Sequence, residues 1–108
     1  DLSFVAAETE TELIESKELL SIQYHSNGLD NLVFSVKSKL TGEAFASAFT
    51  DVDIVASGAG LVMDAAFYDP ATGLLTITSS TPITSGVFTI EISGDDFYSK
   101  QYQFNITV

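Results

Sequence analysis

Two pairs of aspartates carry the clearest capacity for chemistry in this sequence. Asp51 and Asp53 stand two residues apart, and Asp95 and Asp96 are adjacent, so each pair can present several carboxylate oxygens from one short segment. Calcium takes about six to eight oxygen ligands, many of them carboxylates that loops bring together. The four residues therefore predict a calcium site, and the competing interpretation is that they only close turns through backbone hydrogen bonds.

A second group of residues could bind a carbohydrate. Sugars are often bound through exposed aromatic rings with amides or carboxylates nearby, and Tyr98, Phe97 and Tyr68 are the candidates for such rings. Tyr24 and His25 extend the set. The competing interpretation is that these aromatic side chains belong to the buried face of a strand or cover a sheet edge.

Catalysis has little support in the sequence. His25 is the only histidine, so any arrangement of nucleophile, histidine and acid would have to be built around it. The sequence contains neither a Gly-x-Ser-x-Gly elbow nor a glycine-rich phosphate loop. We therefore expect a protein that is not an enzyme.

The elements that would position these residues are predicted to be strands. Apolar residues alternate with polar ones in most of the chain after residue 20, as half-buried strands require. The turn chemistry is strongest at Phe67–Leu75, where Asp69, Pro70 and Gly73 predict a hairpin reversal. About seven short strands at this spacing predict an all-β fold, an antiparallel β-sandwich of two sheets. The residues predicted to face the interior include Leu20, Ile22, Tyr24, Leu32, Phe34, Val36, Leu40, Leu61, Met63, Ala65, Phe67, Phe88, Ile90, Ile92, Tyr102, Phe104, Ile106 and Val108.

Residues 8–20 allow two interpretations. Thr9 and Glu12 have the spacing of a capping box, which predicts one short helix near residues 10–20. Alternatively, Glu8, Glu10 and Glu12 line one face of an extended edge strand, where like charges discourage pairing with another chain. The sequence also predicts a short strand at residues 51–55, and residues 44–49 fit either a strand or a helical turn.

Composition limits the classes of partner. The 108 residues suit a single domain spanning residues 1–108, and the net charge of −11 leaves only four lysines and no arginine for binding phosphate. We therefore expect no nucleic-acid partner and no insertion into a membrane, since no apolar run approaches the roughly 20 residues that a spanning helix needs. With no cysteine, a disulfide or a zinc–thiolate site is impossible.

The last 48 residues resemble bacterial Ig-like and cadherin-like repeat modules of surface proteins. The resemblance is carried by the turn at Phe67–Leu75, by Thr81-Pro82, by the strand from Gly86 to Ile90, by Asp95-Asp96 and by the final alternating strand from Tyr102 to Val108. It implies an Ig-like or cadherin-like antiparallel β-sandwich, a secreted or cell-surface location, neighbouring repeats of the same chain as partners, and calcium ligands at Asp51, Asp53 and Asp95.

These observations favour a non-catalytic extracellular module that acts as a spacer or adhesion repeat, stiffened by calcium if the aspartates bind it. Its partners would be neighbouring repeats and a surface protein or glycan. The alternative is a carbohydrate-binding module attached to a secreted enzyme that acts on polysaccharides. Burial of the aromatic rings would favour the spacer, and a planar row of exposed rings would favour sugar binding.

Overall fold

The computed structural model describes residues 19–46, 53–93 and 100–108, and this part of the chain forms two antiparallel sheets without an α-helix. None of these residues belongs to a helix long and apolar enough to cross a membrane. The predicted all-β sandwich of about seven strands is confirmed. The strands are β1 (Leu20–Asn27), β2 (Asn31–Ser38), β3 (Ile54–Gly58), β4 (Met63–Asp69), β5 (Leu74–Ser79), β6 (Gly86–Ile92) and β7 (Lys100–Ile106).

Both sheets contain pairs of strands that follow one another in the chain. One sheet has the order β1-β2-β5-β4 and the other has the order β3-β6-β7. Constant-type immunoglobulin domains have the same order, with strands ABED facing strands CFG. The order describes a fold, and many proteins of unrelated function share this sandwich architecture.

The core lies between the two sheets and is centred on Phe34 of β2. Its ring stacks on Phe88 of β6 at 5.3 Å between centroids, and it meets Phe104 of β7 at 5.0 Å. This stack joins one strand of each sheet, β2 and β6. The buried apolar residues are Leu20, Ile22, Leu32, Phe34, Val36, Phe45, Ile54, Ala59, Tyr68, Leu75, Ile77, Ile83, Phe88, Ile90, Ile92 and Ile106.

The first strand, β1, and the last strand, β7, begin at the same end of the sandwich. The Tyr102 hydroxyl near the start of β7 donates a hydrogen bond of 2.6 Å to the carbonyl of Leu20, where β1 starts. We call this the near end. At the far end, the Val108 amide donates to Ser85 Oγ at 2.9 Å, and the Ile83 amide donates to the carbonyl of Leu29 at 2.9 Å in the β1–β2 connection. The two strands therefore run in the same direction along the sandwich.

The turn between β4 and β5 has the predicted chemistry. Asp69 Oδ1 accepts a hydrogen bond of 2.9 Å from the Ala71 amide, and the Asp69 carbonyl accepts one of 2.7 Å from the Gly73 amide. Gly73 has φ of 76°, a left-handed conformation that glycine adopts without steric cost. Asp69 therefore closes this turn.

The predicted register of β4 is wrong. Ala65 and Phe67 were expected to face the interior, yet Ala65 is exposed and so is 66% of the Phe67 side chain, whereas Tyr68 is 1% exposed. The pairing of β4 with β5 shifts between Met63 and Ala65. Because side chains alternate between the two faces, one extra residue exchanges the inward and outward sets beyond it.

Three other expected core positions lie at the surface. Leu40 is 90% exposed in the turn after β2, Val108 is 68% exposed beyond β7, and Tyr24 is 41% exposed at the edge of the core. The first two are not in strands, so alternation no longer determines where they point. The short strand expected at residues 51–55 is observed as Ile54–Gly58, while residues 8–18 and 47–49 lie outside the described residues.

Candidate functional site

Of the four predicted calcium ligands, Asp53 is the one within the described residues. Asp51, Asp95 and Asp96 lie outside them. Asp53 is half-buried just before β3, and its backbone carbonyl accepts a hydrogen bond of 2.9 Å from the Ser93 amide. Within residues 19–46, 53–93 and 100–108, no three acidic or histidine side chains are grouped closely enough to hold a metal ion.

The Asp53–Ser93 hydrogen bond has a consequence for the calcium hypothesis. Asp53 precedes β3 and Ser93 follows β6, and these two strands pair directly from Ile54 and Ile92 onward. Asp53 and Ser93 therefore lie side by side at the near end. The described residues show this hydrogen bond, and binding of calcium itself stays a prediction.

Of the three aromatic residues predicted to bind sugar, Tyr68 is the one within the described residues. Tyr98 and Phe97 lie outside the described residues. Tyr68 is 1% exposed, so its ring is not available to a ligand and the prediction that it binds sugar is wrong. The bulge in β4 is the reason, because it places Tyr68 on the inner face of the sheet and Phe67 on the outer face.

Tyr68 has a structural role at the near end. Its hydroxyl donates a hydrogen bond of 2.7 Å to the carbonyl of Val36 in β2 and accepts one of 3.0 Å from the amide of Phe45. Burial raises the pKa of Tyr68 above its ordinary value, and the charge of Asp69 adds to this increase, while the hydrogen bond from Phe45 opposes it. The phenol is therefore held in its neutral, hydrogen-bonded form.

The two most exposed aromatic rings in the described part of the chain do not form a row. Tyr24 is 41% exposed, pairs with Phe34 across β1 and β2, and meets the Phe34 ring edge-on at 6.0 Å. Phe67 is on the opposite face of the same sheet. His25 is exposed at the irregularity in β1, with Nδ1 3.0 Å from Ser26 Oγ. The described aromatics thus give no flat platform for a sugar.

A concave feature of the described residues lies on the outer face of β1 and β2. It is a half-open groove of about 260 Å³ lined by Ser21, Gln23, Ser35, Lys37, Ser38, Lys39 and Gly42. Ser21 pairs with Lys37 and Gln23 pairs with Ser35 across the two strands, so four of these side chains project from the same face. We call this the lysine groove.

The lysine groove is not among the features predicted from the sequence, because the four lysines are scattered along the chain. A signal was present, since Ser35, Lys37 and Lys39 follow one another at the spacing of one strand face. The contribution of β1 could not be recognised without the register of the β1–β2 pair.

Comparisons with known proteins give no identification. No family model matches the chain, and neither a curated protein nor a solved structure matches it. The function must therefore be argued from the geometry of the chain itself.

Proposed function

We propose that this chain is a non-catalytic β-sandwich module of a bacterial surface or secreted protein, where it acts as a spacer or adhesion repeat beside neighbouring repeats. The observation that carries the proposal is the direction of β1 and β7, the first and last strands. The chain enters β1 at the near end and leaves β7 at the far end. Each such module would carry the chain forward by the length of the sandwich.

A hydrogen bond between β1 and β7 supports a mechanical role. A pull on the two ends of the sandwich would draw β1 and β7 in opposite directions along their length. The hydrogen bond between Tyr102 and Leu20 joins residues 82 positions apart and resists this sliding. The aromatic contacts of Phe34 with Phe88 and Phe104 join the two sheets over the same region.

Small-angle X-ray scattering of two copies joined head to tail tests the spacer proposal. The linker should contain a few residues only, with a single copy as the control. We expect a maximum dimension close to twice that of the single copy, because β1 starts and β7 ends at opposite ends of the sandwich. A particle little longer than one copy, with the two sandwiches side by side, would contradict the proposal.

Calcium would stiffen the near end if Asp53 and the aspartates adjoining Ser93 bind it. Any ligand that binds only the folded state raises its stability, by about 2.7 kcal/mol at a concentration one hundred times its Kd. The melting temperature should therefore rise with added calcium, and the variant D53N should reduce the rise. An unchanged melting temperature at millimolar calcium would remove calcium from the proposal and leave the spacer role intact.

A further inference from the structure

We propose that the lysine groove binds a uronic acid, a sugar that carries one carboxylate. The inference is independent of the spacer role, because it rests on the outer face of β1 and β2 and not on how the chain crosses the sandwich. It also differs from the sugar site predicted at Tyr98, Phe97 and Tyr68, since no aromatic residue lines this groove.

The two lysines of the groove favour a ligand that carries a negative charge. The chain has a net charge of −11, yet the groove contains two of its four lysines and no carboxylate in its lining. No ion pair joins Lys37 or Lys39 to an acidic side chain in the part of the chain that the structure describes. An ammonium group that meets a carboxylate makes a charge-assisted hydrogen bond, roughly twice as strong as a neutral one.

The remaining side chains of the groove suit hydroxyl groups. Ser21 and Ser35 each offer a donor and two acceptor positions, and the amide of Gln23 offers both donor and acceptor atoms. The volume of about 260 Å³ lies just below the range of roughly 300–1,000 Å³ that holds drug-sized ligands. A single sugar ring with one carboxylate matches both the size and the mixture of polar groups.

The rim of the groove is held in place before any ligand arrives. Ser38 is buried, and its Oγ accepts hydrogen bonds from the amides of Leu40 at 3.2 Å and Thr41 at 3.3 Å. The Gly42 amide donates to the Ser38 carbonyl at 2.8 Å, which fixes the turn that carries Lys39. A preorganised rim reduces the ordering that binding must otherwise impose.

The stem of Lys37 is also positioned by its surroundings. A Cβ atom built on Gly73 would lie 3.0 Å from Lys37 Cε, so the absence of a side chain at Gly73 leaves room for this stem. Lys37 is half-buried and lines the groove. The β4–β5 turn thus supports one of the two charged groups.

Titration with sodium glucuronate, followed by ¹H–¹⁵N NMR correlation spectra at low ionic strength, tests this inference. For a ligand of this size we expect a Kd on the order of 1 mM, with saturable shifts at the backbone amides of Ser21, Gln23, Ser35 and Lys37. Glucose and sodium acetate serve as separate probes of the hydroxyl groups and the carboxylate. Each should shift the same amides far less at equal concentration.

Charge-matched variants decide whether the groove is responsible. The double variant K37Q/K39Q should weaken glucuronate binding by about tenfold or more. The variant K100Q removes a lysine that lies over the Tyr102 ring at 5.3 Å and does not line the groove, and it should bind as the wild type does. No saturable shift with glucuronate, equal binding of acetate, or full binding by a folded K37Q/K39Q would each overturn the inference.

Discussion

At the scale of single residues, the hydroxyl of Tyr68 joins three separate parts of the near end. It lies on β4, donates to Val36 in β2 and accepts from Phe45 in the connection that leads toward β3. The Phe45 amide is buried, and a buried amide without a partner is costly. One oxygen atom therefore satisfies both the Val36 carbonyl and the Phe45 amide.

Replacement of Tyr68 by phenylalanine keeps the ring and removes the oxygen. We expect Y68F to lower the free energy of unfolding by about 1–3 kcal/mol, since it removes two buried hydrogen bonds, to Val36 and from Phe45. The control is Y24F, which removes an exposed hydroxyl that donates to Asn27 Oδ1 and should cost less than about 0.5 kcal/mol. Urea denaturation of both variants measures the difference, and equal losses would contradict this role of Tyr68.

Alkaline pH should weaken the fold through the same group. Burial raises the pKa of Tyr68, and burial also raises the pKa of Tyr102, above the value of about 10 found in unfolded chains. Their contribution to stability is therefore fully present below pH of about 10 and is lost as the pH rises through the raised values.

Denaturation series between pH 8 and pH 12 would measure this loss. We expect the unfolding free energy of the wild type to fall more steeply above pH of about 10 than that of Y68F, by up to about 1.4 kcal/mol per pH unit for one ionising group. The variant retains all other titrating groups and so serves as the reference. Parallel curves for the two proteins would show that Tyr68 ionises equally in the folded and unfolded states.

Residue roles could be predicted from the sequence only where they are local. Asp69 closes its turn as predicted, because its partner amides at Ala71 and Gly73 belong to the same short segment. The role of Tyr68 could not be predicted, since its partners are 23 and 32 residues away and the bulge reverses its face.

At the scale of elements, β3 depends on close approach of its backbone to β6. Gly58 has φ of 103° and pairs with Phe88, and a Cβ atom built on it would lie 2.0 Å from the Val87 carbonyl oxygen. The next residue, Ala59, is buried and has φ of 51°. The end of β3 therefore accepts no side chain at Gly58 unless the strands separate.

The variant G58A tests this close approach. We expect it to lower the free energy of unfolding by about 3 kcal/mol, which combines overpacking with a left-handed conformation at a residue other than glycine. G42A is the matched control, because Gly42 has φ of 76° and no atom within 4 Å of the position of a Cβ. It should cost only about 1 kcal/mol, and thermal or urea denaturation that gave equal costs would contradict the close approach of β3 to β6.

The elements themselves were largely predictable. The alternation of Phe88, Ile90 and Ile92 survives intact in β6, as does the antiparallel pairing of β1 with β2. Irregularities were not predictable, because the shifts at residues 24–26 and 63–65 depend on how each strand fits its neighbour. These two irregularities account for the unexpected exposure of Phe67 and the position of His25.

At the scale of the whole molecule, the sequence predicted the class of the fold and not its topology. Local alternation indicates that two faces exist, but the pairing of β2 with β5 joins residues more than 35 positions apart. The lysine groove likewise depends on strand pairing, since the register of β1 against β2 places Ser21 opposite Lys37. Strand order and concave surfaces emerge only when the sheets assemble.

The direction of β1 and β7 is the central claim at this scale, and two distances measure it. The chain has no cysteine, so Leu19, Leu29 and Val108, all exposed, can be replaced by cysteine in pairs for spin labelling. Leu29 and Val108 lie at the far end, tied by hydrogen bonds to Ile83 and Ser85, and their backbones should be within about 20 Å of each other. Leu19 lies at the near end, and β1 separates it from Leu29.

Double electron–electron resonance on the L19C/V108C and L29C/V108C variants is the most direct test of the account. The eight residues of β1 span about 26 Å, so we expect the distance from residue 19 to residue 108 to be clearly longer than the distance from residue 29 to residue 108. The reverse order of the two distances would place the start of β1 and the end of β7 at the same end of the sandwich, and would contradict the spacer geometry.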